Sequence, residues 1–201
     1  MNKWDVRYDL DEYVYGKDPN IFLSENSGIF SGKNILSLGE GEGRNAVYLA
    51  KCGFNVTAVD SSIVALKKAQ NLSRENDVSL TTICEDLSNF TIGCQKWDGI
   101  ISIFCHTSPD LRSKILKNSV AGLRQNGIFL LEAYTKDQLN YNTGGPRVAA
   151  LMMSLQQLKC DLSELDIIHG VELIRKINEG SLHCGTSAVV QILAIKRRPQ
   201  K

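Results

Sequence analysis

Short apolar runs alternate with segments of helical periodicity from residue 33 onward. The predicted strands in this region cover residues 34–38, 55–59, 80–84, 99–104 and 128–133. The predicted helices between them cover residues 44–52, 62–75 and 109–126. This alternation is typical of a parallel sheet with helices on both faces. The pattern therefore predicts an α/β, doubly wound fold.

The pattern changes after the fifth predicted strand. Residues 141–146 form a turn-rich loop, and leucines at helical spacing follow it. Residues 171–178 and 187–196 are then two predicted strands without a helix between them, which predicts an antiparallel hairpin that completes the sheet. Residues 1–30 have weak periodicity and several aromatic side chains. We expect one domain over residues 1–201, with residues 1–30 as an arm over the carboxyl edge of the sheet.

Composition excludes several classes of protein. The apolar fraction of 43% and the charged fraction of 22% are those of a globular chain, not of a disordered or fibrous one. Lys plus Arg (23) nearly balance Asp plus Glu (22), so no broad field attracts nucleic acid or anionic lipid. The first twenty residues are too polar for a secretory signal, and no stretch approaches a membrane span. We expect a cytoplasmic protein, a monomer or weak dimer, with neither nucleic acid nor membrane as partner.

The six cysteines are scattered and form no C-x-x-C pair. Most stand in apolar stretches, where a thiol behaves as a small hydrophobic group. We interpret them as reduced core residues and not as a disulfide set or a zinc site.

A glycine-rich turn at residues 39–45 stands between the first predicted strand and a helix. Such a turn lets the backbone approach a nucleotide-like ligand at a helix N-terminus. The dinucleotide motif G-x-G-x-x-G would need glycine at position 44, where this chain has Arg44. Glu40 and Glu42 would repel phosphate and suit a cationic ligand without phosphate, such as S-adenosyl-L-methionine. A tight turn without a ligand is the alternative.

Two aspartates follow the next predicted strands. Asp60 ends the second strand, where a carboxylate can accept both hydroxyls of a ribose, and the glycine turn favours this role over a simple cap of the helix that begins near Ser61. Asp86 follows the third strand, where it can accept an adenine amino group while Leu87 packs on the ring. An exposed turn aspartate is the alternative for Asp86.

These residues carry a family resemblance. The segment 35–45, together with Asp60, Asp86, Leu87 and the two-strand tail, resembles the class I S-adenosylmethionine-dependent methyltransferases from about residue 30 to the end. The segments 13–23 and 179–183 are similar to the tellurite-resistance and thiopurine group of that class. The resemblance implies a seven-stranded, mostly parallel Rossmann-like sheet and S-adenosyl-L-methionine as cofactor. It also implies methyl transfer to a small soft nucleophile such as a chalcogen oxyanion or a thiol.

Two histidines are candidates for acceptor chemistry. His106 follows the fourth predicted strand, where it can bind an anionic acceptor or take a proton, and a histidine bonded to backbone is the equal alternative. His183 lies in the hairpin connection, and the resemblance makes it a candidate for acceptor binding. Residues 104–107 read Phe-Cys-His-Thr where the methyltransferases of base amino groups have an Asn-Pro-Pro-Tyr type of motif, which further disfavours nucleic acid. Arg7 is a candidate for the methionyl carboxylate of the cofactor, and Arg147 for an anionic acceptor, with a solvated surface charge as the commoner alternative for each.

The sequence thus predicts methyl transfer to a small-molecule acceptor. The candidate catalytic residues are His106 and His183. The candidate cofactor-binding residues are Gly39, Gly41, Gly43, Asn45, Asp60, Ser61, Asp86, Leu87, Phe104 and Tyr13. No metal is required, since alignment and exclusion of water do most of the work in such a displacement. The alternatives are a cofactor-binding regulatory or scaffold protein without transfer and an NAD-dependent oxidoreductase, which Arg44 and the acidic glycine turn disfavour.

Overall fold

The computed structural model describes residues 2–197 and contains one seven-stranded sheet. Its strands are β1 (Asn34–Leu38), β2 (Asn55–Asp60), β3 (Thr81–Cys84), β4 (Trp97–Ile103), β5 (Leu123–Tyr134), β6 (Asp166–Asn178) and β7 (Cys184–Ile195). The helices are α1 (Lys3–Tyr8), α2 (Ile21–Asn26), α3 (Arg44–Lys51), α4 (Ile63–Glu75), α5 (Pro109–Gly122) and α6 (Leu155–Asp161). Three short 3-10 turns accompany them.

The strand order across the sheet is β3-β2-β1-β4-β5-β7-β6. Strands β1 to β5 run parallel, and β7 is antiparallel to both β5 and β6. The order reverses beside β1, so β1 and β4 diverge to their crossover helices at the carboxyl edge and leave a crevice there. The predicted α/β fold, the seven strands and the antiparallel hairpin are confirmed.

The apolar runs form strands because both faces of the sheet are covered. Ile35 packs in the cluster beneath α2 and α3, while its neighbour Leu36 packs in the cluster beneath α5 and α6. Phe129 and Leu130 divide between the same two clusters. Successive side chains of a strand point to opposite faces, so a strand buried on both sides is a continuous apolar run.

The fifth helix ends earlier than its periodicity predicts. Helix α5 stops at Gly122, and Leu123 begins β5 by pairing with Trp97 of β4. Leu123 is fully buried, as it would have been on a longer helix, so the apolar pattern could not distinguish the two. The prediction of a helix up to residue 126 was wrong for this reason.

The N-terminal arm holds two short helices that the weak periodicity concealed. The side chains of Asn2 and Asn20 cap them by accepting backbone N–H groups of α1 and α2. Phe22 and Leu23 are buried in the main core, and Tyr8 packs with Ala65 of α4. The arm therefore crosses from α4 to the sheet over its carboxyl edge.

The cysteines do not lie in the core. Five of them are exposed, Cys105 is half-buried, and all six are free thiols. The prediction of core thiols was wrong, since the apolar runs around them end at or just before the cysteines. Between residues 2 and 197, no helix is long and apolar enough to cross a membrane.

Candidate functional site

A cleft lies at the carboxyl ends of β1, β2 and β4, at the reversal of strand order. The predicted residues that line it are Gly39, Asn45, Asp60, Ser61, Asp86, Leu87, Phe104, His106 and His183. Trp4 and Tyr8 of α1 cover the cleft, whose enclosed space is about 160 Å³. The crevice beside the carboxyl ends of such a sheet is the usual ligand site of this architecture.

The three glycines of the turn have different neighbours. Gly39 has φ of 61°, and a Cβ there would lie 2.6 Å from Sγ of Cys105, so the turn closely approaches the end of β4. A Cβ on Gly41 would lie 2.8 Å from the Tyr8 hydroxyl. A Cβ on Gly43 would lie 2.6 Å from Cα of Ala69, which shows that Gly43 serves the packing of α3 on α4. Gly41 and Gly43 are not among the residues that line the cleft.

The acidic side chains of the turn bind protein groups. Glu40 is buried and accepts N–H groups of Asn45 and Ala46, so it caps α3. Burial raises the pKa of its carboxyl group. Glu42 pairs with Lys68 at 2.5 Å and accepts the Tyr15 N–H. Glu40 and Glu42 also line the cleft, so their role toward a cationic ligand stays a prediction while their oxygens hold the turn and the arm.

Asp60 lines the cleft while its carboxylate organises the backbone around it. One oxygen accepts the Gly41 N–H at 2.9 Å and the other accepts the Ser62 N–H at 2.8 Å. The side chain of Ser62, not that of Asp60, caps α4 by accepting the Ala65 N–H. Burial raises the pKa of the Asp60 carboxyl group. Since each carboxylate oxygen has two lone pairs, one more hydrogen bond remains available on each.

Asp86 and Leu87 occupy the edge of the cleft after β3. Asp86 is exposed and accepts the Ser88 N–H at 2.8 Å, so it forms a turn as well as lining the cleft. Leu87 is half-buried against the core. Asp86 can therefore be an exposed turn residue and still face the cleft, so both interpretations from the sequence remain open.

Tyr13 lies away from the cleft. Its hydroxyl donates to the Lys68 carbonyl at 3.0 Å on the outer side of α4, with Lys17 over its ring. The aromatic residues of the N-terminal arm that do reach the cleft are Trp4, Tyr8 and Tyr15. The placement of Tyr13 in the cofactor site is therefore corrected, since the arm turns its ring toward α4.

His106 is fixed by the backbone on both sides of its ring. Its Nδ1 lies 2.9 Å from the Leu151 carbonyl, and its Nε2 accepts the Tyr134 N–H at 3.3 Å. These partners assign the neutral tautomer with the proton on Nδ1. Burial lowers the pKa of His106 to about 4. Both ring nitrogens are therefore occupied in this conformation.

A second pocket adjoins the cleft and shares Trp4, Tyr15, Phe104, His106 and His183 with it. This acceptor-side pocket encloses about 380 Å³. Its charged lining residues are Lys3, Arg7 and Arg147, and no carboxylate lines it among the described residues. Arg7 thus lines this pocket and not the cleft, contrary to its expected position at the methionyl carboxylate.

His183 stands at the boundary of the two spaces. It is 6% exposed, and its Nδ1 has no hydrogen-bond partner in the part of the chain that the structure describes. Its ring lies 4.5 Å from that of Tyr15 and 4.7 Å from that of Phe104, centroid to centroid. Burial, then the charge of Arg44, holds its pKa well below the usual value. His183 is a neutral, buried imidazole with a free nitrogen.

Phe104 holds an unusual backbone conformation at this boundary. Its φ is 51°, a region that favours glycine, and its N–H donates to the Glu132 carbonyl at 2.7 Å. This conformation directs its ring against Tyr134 and His183. Strain of this kind persists only where the surroundings enforce it, and it is concentrated at functional sites.

Arg44 is a cleft residue whose role the sequence did not predict. Its guanidinium donates to Glu179 at 2.6 Å and to the Asp18 carbonyl at 3.3 Å. Arg175 contacts Glu179 at 3.0 Å and also pairs with Glu132. The result is a buried charge network that joins α3, β5 and the hairpin.

The cleft residues fit S-adenosyl-L-methionine. A strand-end carboxylate, Asp60, faces the space where ribose hydroxyls would be accepted, and the Gly39 turn allows close backbone approach. Arg44 lines the cleft with its guanidinium paired to Glu179, and aromatic rings suit a sulfonium. Asp60, Asp86 and Leu87 would hold the nucleoside.

Comparison with known proteins agrees with this geometry. Residues 35–127 match the family described as "Methyltransferase domain". A glycine/sarcosine N-methyltransferase of Aphanothece halophytica is 31% identical over 147 residues, which are 71% of this chain and 53% of that protein. The chain thus spans about half the length of this curated relative.

Solved structures share the fold. TehB from Haemophilus influenzae superposes with a TM-score of 0.72 at 20% identity, over 89% of this chain and 62% of that one. An S-adenosylmethionine-dependent methyltransferase from Clostridium acetobutylicum gives a TM-score of 0.68 at 18% identity, over 96% of this chain and 95% of that one. At these identities the likeness shows the fold.

Proposed function

We propose that this chain is a class I, S-adenosylmethionine-dependent methyltransferase and that it methylates a small anionic or soft nucleophile such as a chalcogen oxyanion or a thiol. The observation that carries the proposal is the pair of adjoining spaces, a cleft at Asp60 and a cation-lined pocket beside it. When bound, S-adenosyl-L-methionine supplies a methyl carbon that an acceptor lone pair attacks as the carbon–sulfur bond breaks and its electron pair returns to sulfur.

The charge of the acceptor-side pocket supports an anionic acceptor. Lys3, Arg7 and Arg147 line it, and none of its described lining residues is acidic. Charge complementarity of this kind selects anions and rejects cations. An anion that is already deprotonated also needs no catalytic base, so the side chains have only to align it and exclude water.

His106 and His183 have different roles in this proposal. His106 uses both nitrogens on the backbone at Leu151 and Tyr134, and it forms the wall between the end of β4 and the 3-10 turn near Leu151. His183 has a free Nδ1 and contacts the acceptor. As a neutral imidazole it donates or accepts one hydrogen bond, and it does not act as a cation near pH 7.

An amine acceptor is the second candidate, because the relative of 31% identity is a glycine/sarcosine N-methyltransferase. An amino acid would offer its carboxylate to Arg7 or Arg147. Its ammonium group, however, must lose a proton before it attacks, and burial makes His183 a weak base. The cationic lining also repels an ammonium group, so an anionic nucleophile fits the pocket better.

The proposal is tested in two stages. Calorimetry with S-adenosyl-L-methionine, S-adenosylhomocysteine and NAD first identifies the cofactor, and binding of the first two without NAD is expected. An acceptor screen then compares selenite, tellurite and small thiols with glycine and sarcosine, with product detected by mass spectrometry. Methylation of the first group supports the proposal, and methylation of glycine or sarcosine alone overturns the acceptor class. Donor binding without any transfer would favour a regulatory or scaffold role, and NAD binding would favour an oxidoreductase.

A further inference from the structure

Helix α1 lines both spaces of the site. Trp4 and Tyr8 are one turn apart and face the cleft, while Lys3 and Arg7 are one turn apart and line the acceptor-side pocket. Residues four apart share a face of a helix, so α1 presents an aromatic pair and a cationic pair on adjacent faces. The Arg7 guanidinium lies 4.9 Å from the Trp4 ring and donates to the Tyr15 hydroxyl at 3.3 Å, which links the two faces.

One end of α1 is fastened at the donor side. The Ser62 hydroxyl donates to Asp5 at 2.7 Å, and the Asn2 amide donates to the Ser61 carbonyl at 2.7 Å. Ser61 and Ser62 directly follow Asp60, the candidate ribose ligand. The position of α1 is therefore set by the same residues that form the donor site.

The other end of α1 is anchored by one lysine. Nζ of Lys68 donates to the carbonyls of Tyr8, Leu10 and Glu12 and pairs with Glu42 of the glycine turn. This anchor holds the chain just after α1, and the helix itself is only six residues long with exposed Lys3, Val6 and Arg7. Segments of this kind open at lower free energy than the core.

The closed position of α1 leaves little room for a donor. The cleft encloses about 160 Å³, below the roughly 300 to 1,000 Å³ of typical ligand pockets. The Tyr8 hydroxyl occupies the space above Gly41. An outward movement of α1 about its Lys68 anchor would enlarge this space, and it would also carry Lys3 and Arg7 away from the second pocket.

We propose that α1 moves and forms part of both binding sites. Trp4 and Tyr8 cover the donor, and Lys3 and Arg7 bind the anionic acceptor. Each ligand then stabilises the closed position that the other needs, so the two bind with positive cooperativity. This inference rests on the proposed function, because it takes the cleft as the donor site and the cationic pocket as the acceptor site. It makes Lys3 and Arg7 specificity residues of that reaction.

The test measures binding without transfer. S-adenosylhomocysteine carries no methyl group to donate, so its dissociation constant is measured by calorimetry with and without selenite or mercaptoacetate. Coupling between sites is typically about 5-fold or more, and at least one of the two anions is expected to tighten binding by that factor. The Lys3→Gln/Arg7→Gln double variant should lose the effect. The Lys67→Gln/Arg74→Gln variant removes the same charge from the exposed side of α4 and should retain it.

A second measurement tests whether the hydrogen bond between Asp5 and Ser62 holds α1 in place. Asp5→Ala removes the acceptor of the Ser62 hydroxyl bond and should speed dissociation of S-adenosylhomocysteine, monitored by the fluorescence of Trp4 in a Trp97→Phe background. The inference is overturned if neither anion changes the dissociation constant of the wild type, or if the Lys3/Arg7 variant keeps the coupling. Failure of S-adenosylhomocysteine to bind at all would instead refute the proposed function.

Discussion

The carboxylate of Glu179 lies 2.6 Å from the guanidinium of Arg44, although 135 positions separate the two residues in the sequence. Arg44 belongs to the helix that follows the glycine turn, and Glu179 begins the connection between β6 and β7 that carries His183. Both side chains are almost fully buried. The pair therefore fixes the connection that carries His183 relative to the glycine turn.

Replacing Glu179 with Gln should strongly destabilise the fold. The change leaves Arg44 and Arg175 buried without their shared carboxylate, and breaking a buried pair typically costs about 3 to 5 kcal/mol. Urea denaturation measures the change. Glu75→Gln removes the exposed partner of Lys17 and should cost less than about 1 kcal/mol. Equal effects of the two variants would contradict the role of the buried network.

The contribution of His106 to the stability of the protein should fall as pH drops from 6.5 toward 4. The folded-state pKa of His106 is lowered to about 4, whereas an unfolded histidine titrates near its ordinary value. In that window the unfolded chain binds the proton and the folded chain does not, so each pH unit removes up to about 1.4 kcal/mol. His106→Asn can keep the bond to the Leu151 carbonyl and should flatten this dependence. An unchanged slope in urea denaturation across pH 4.5 to 6.5 would show that His106 is not buried neutral.

His183→Ala should separate transfer from donor binding. Loss of a group that positions the acceptor or moves its proton typically lowers the rate by about 10² to 10⁴, while the donor site at Asp60 keeps its contacts. Calorimetry gives the donor affinity, and steady-state kinetics with an acceptor that the wild type methylates gives the rate. Because burial holds the pKa of His183 well below its usual value, the wild-type rate should show no His183 titration between pH 6.5 and 8. A full rate in the variant would remove His183 from the mechanism.

Two glycines of the same turn should respond differently to substitution. A side chain on Gly41 must displace the Tyr8 hydroxyl and adopt φ of 70°, so Gly41→Val should abolish donor binding. Gly43→Ala instead forces apart α3 and α4 at Ala69 and should lower stability by about 1 to 3 kcal/mol. Calorimetry and urea denaturation measure the two effects. Gly28→Ala meets open space and serves as the control for both.

The sequence predicted the elements that are determined by residues close together in the chain. Strands β1, β2, β4 and β5 contain apolar runs because both of their faces are covered, and the glycine turn follows β1 directly. Asp60 could be found because it ends a strand next to that turn. The C-terminal end of α5 could not be predicted, since Leu123 is buried whether the chain there is helical or extended.

Other parts of the site depend on contacts between distant residues. His106 is bonded to Leu151 and Tyr134, and neither partner is marked in the sequence. Helix α1 is six residues long and too short for a periodic pattern, so the positions of Trp4 and Tyr8 over the cleft were not predicted. Tyr13 is predicted in the cofactor site because an aromatic face attracts a sulfonium, but the path of the arm turns it toward Lys68.

The central claim is that the cleft at Asp60 binds the methyl donor, and calorimetric titration with S-adenosylhomocysteine tests it most directly. Removing a charged hydrogen-bond acceptor of the ribose should weaken binding by about 1 to 3 kcal/mol in Asp60→Ala relative to the wild type. Asp98 accepts the Asn34 N–H on the opposite edge of the sheet, so Asp98→Ala controls for general loss of structure and should bind as the wild type does. Wild-type affinity in a folded Asp60→Ala variant would contradict the account.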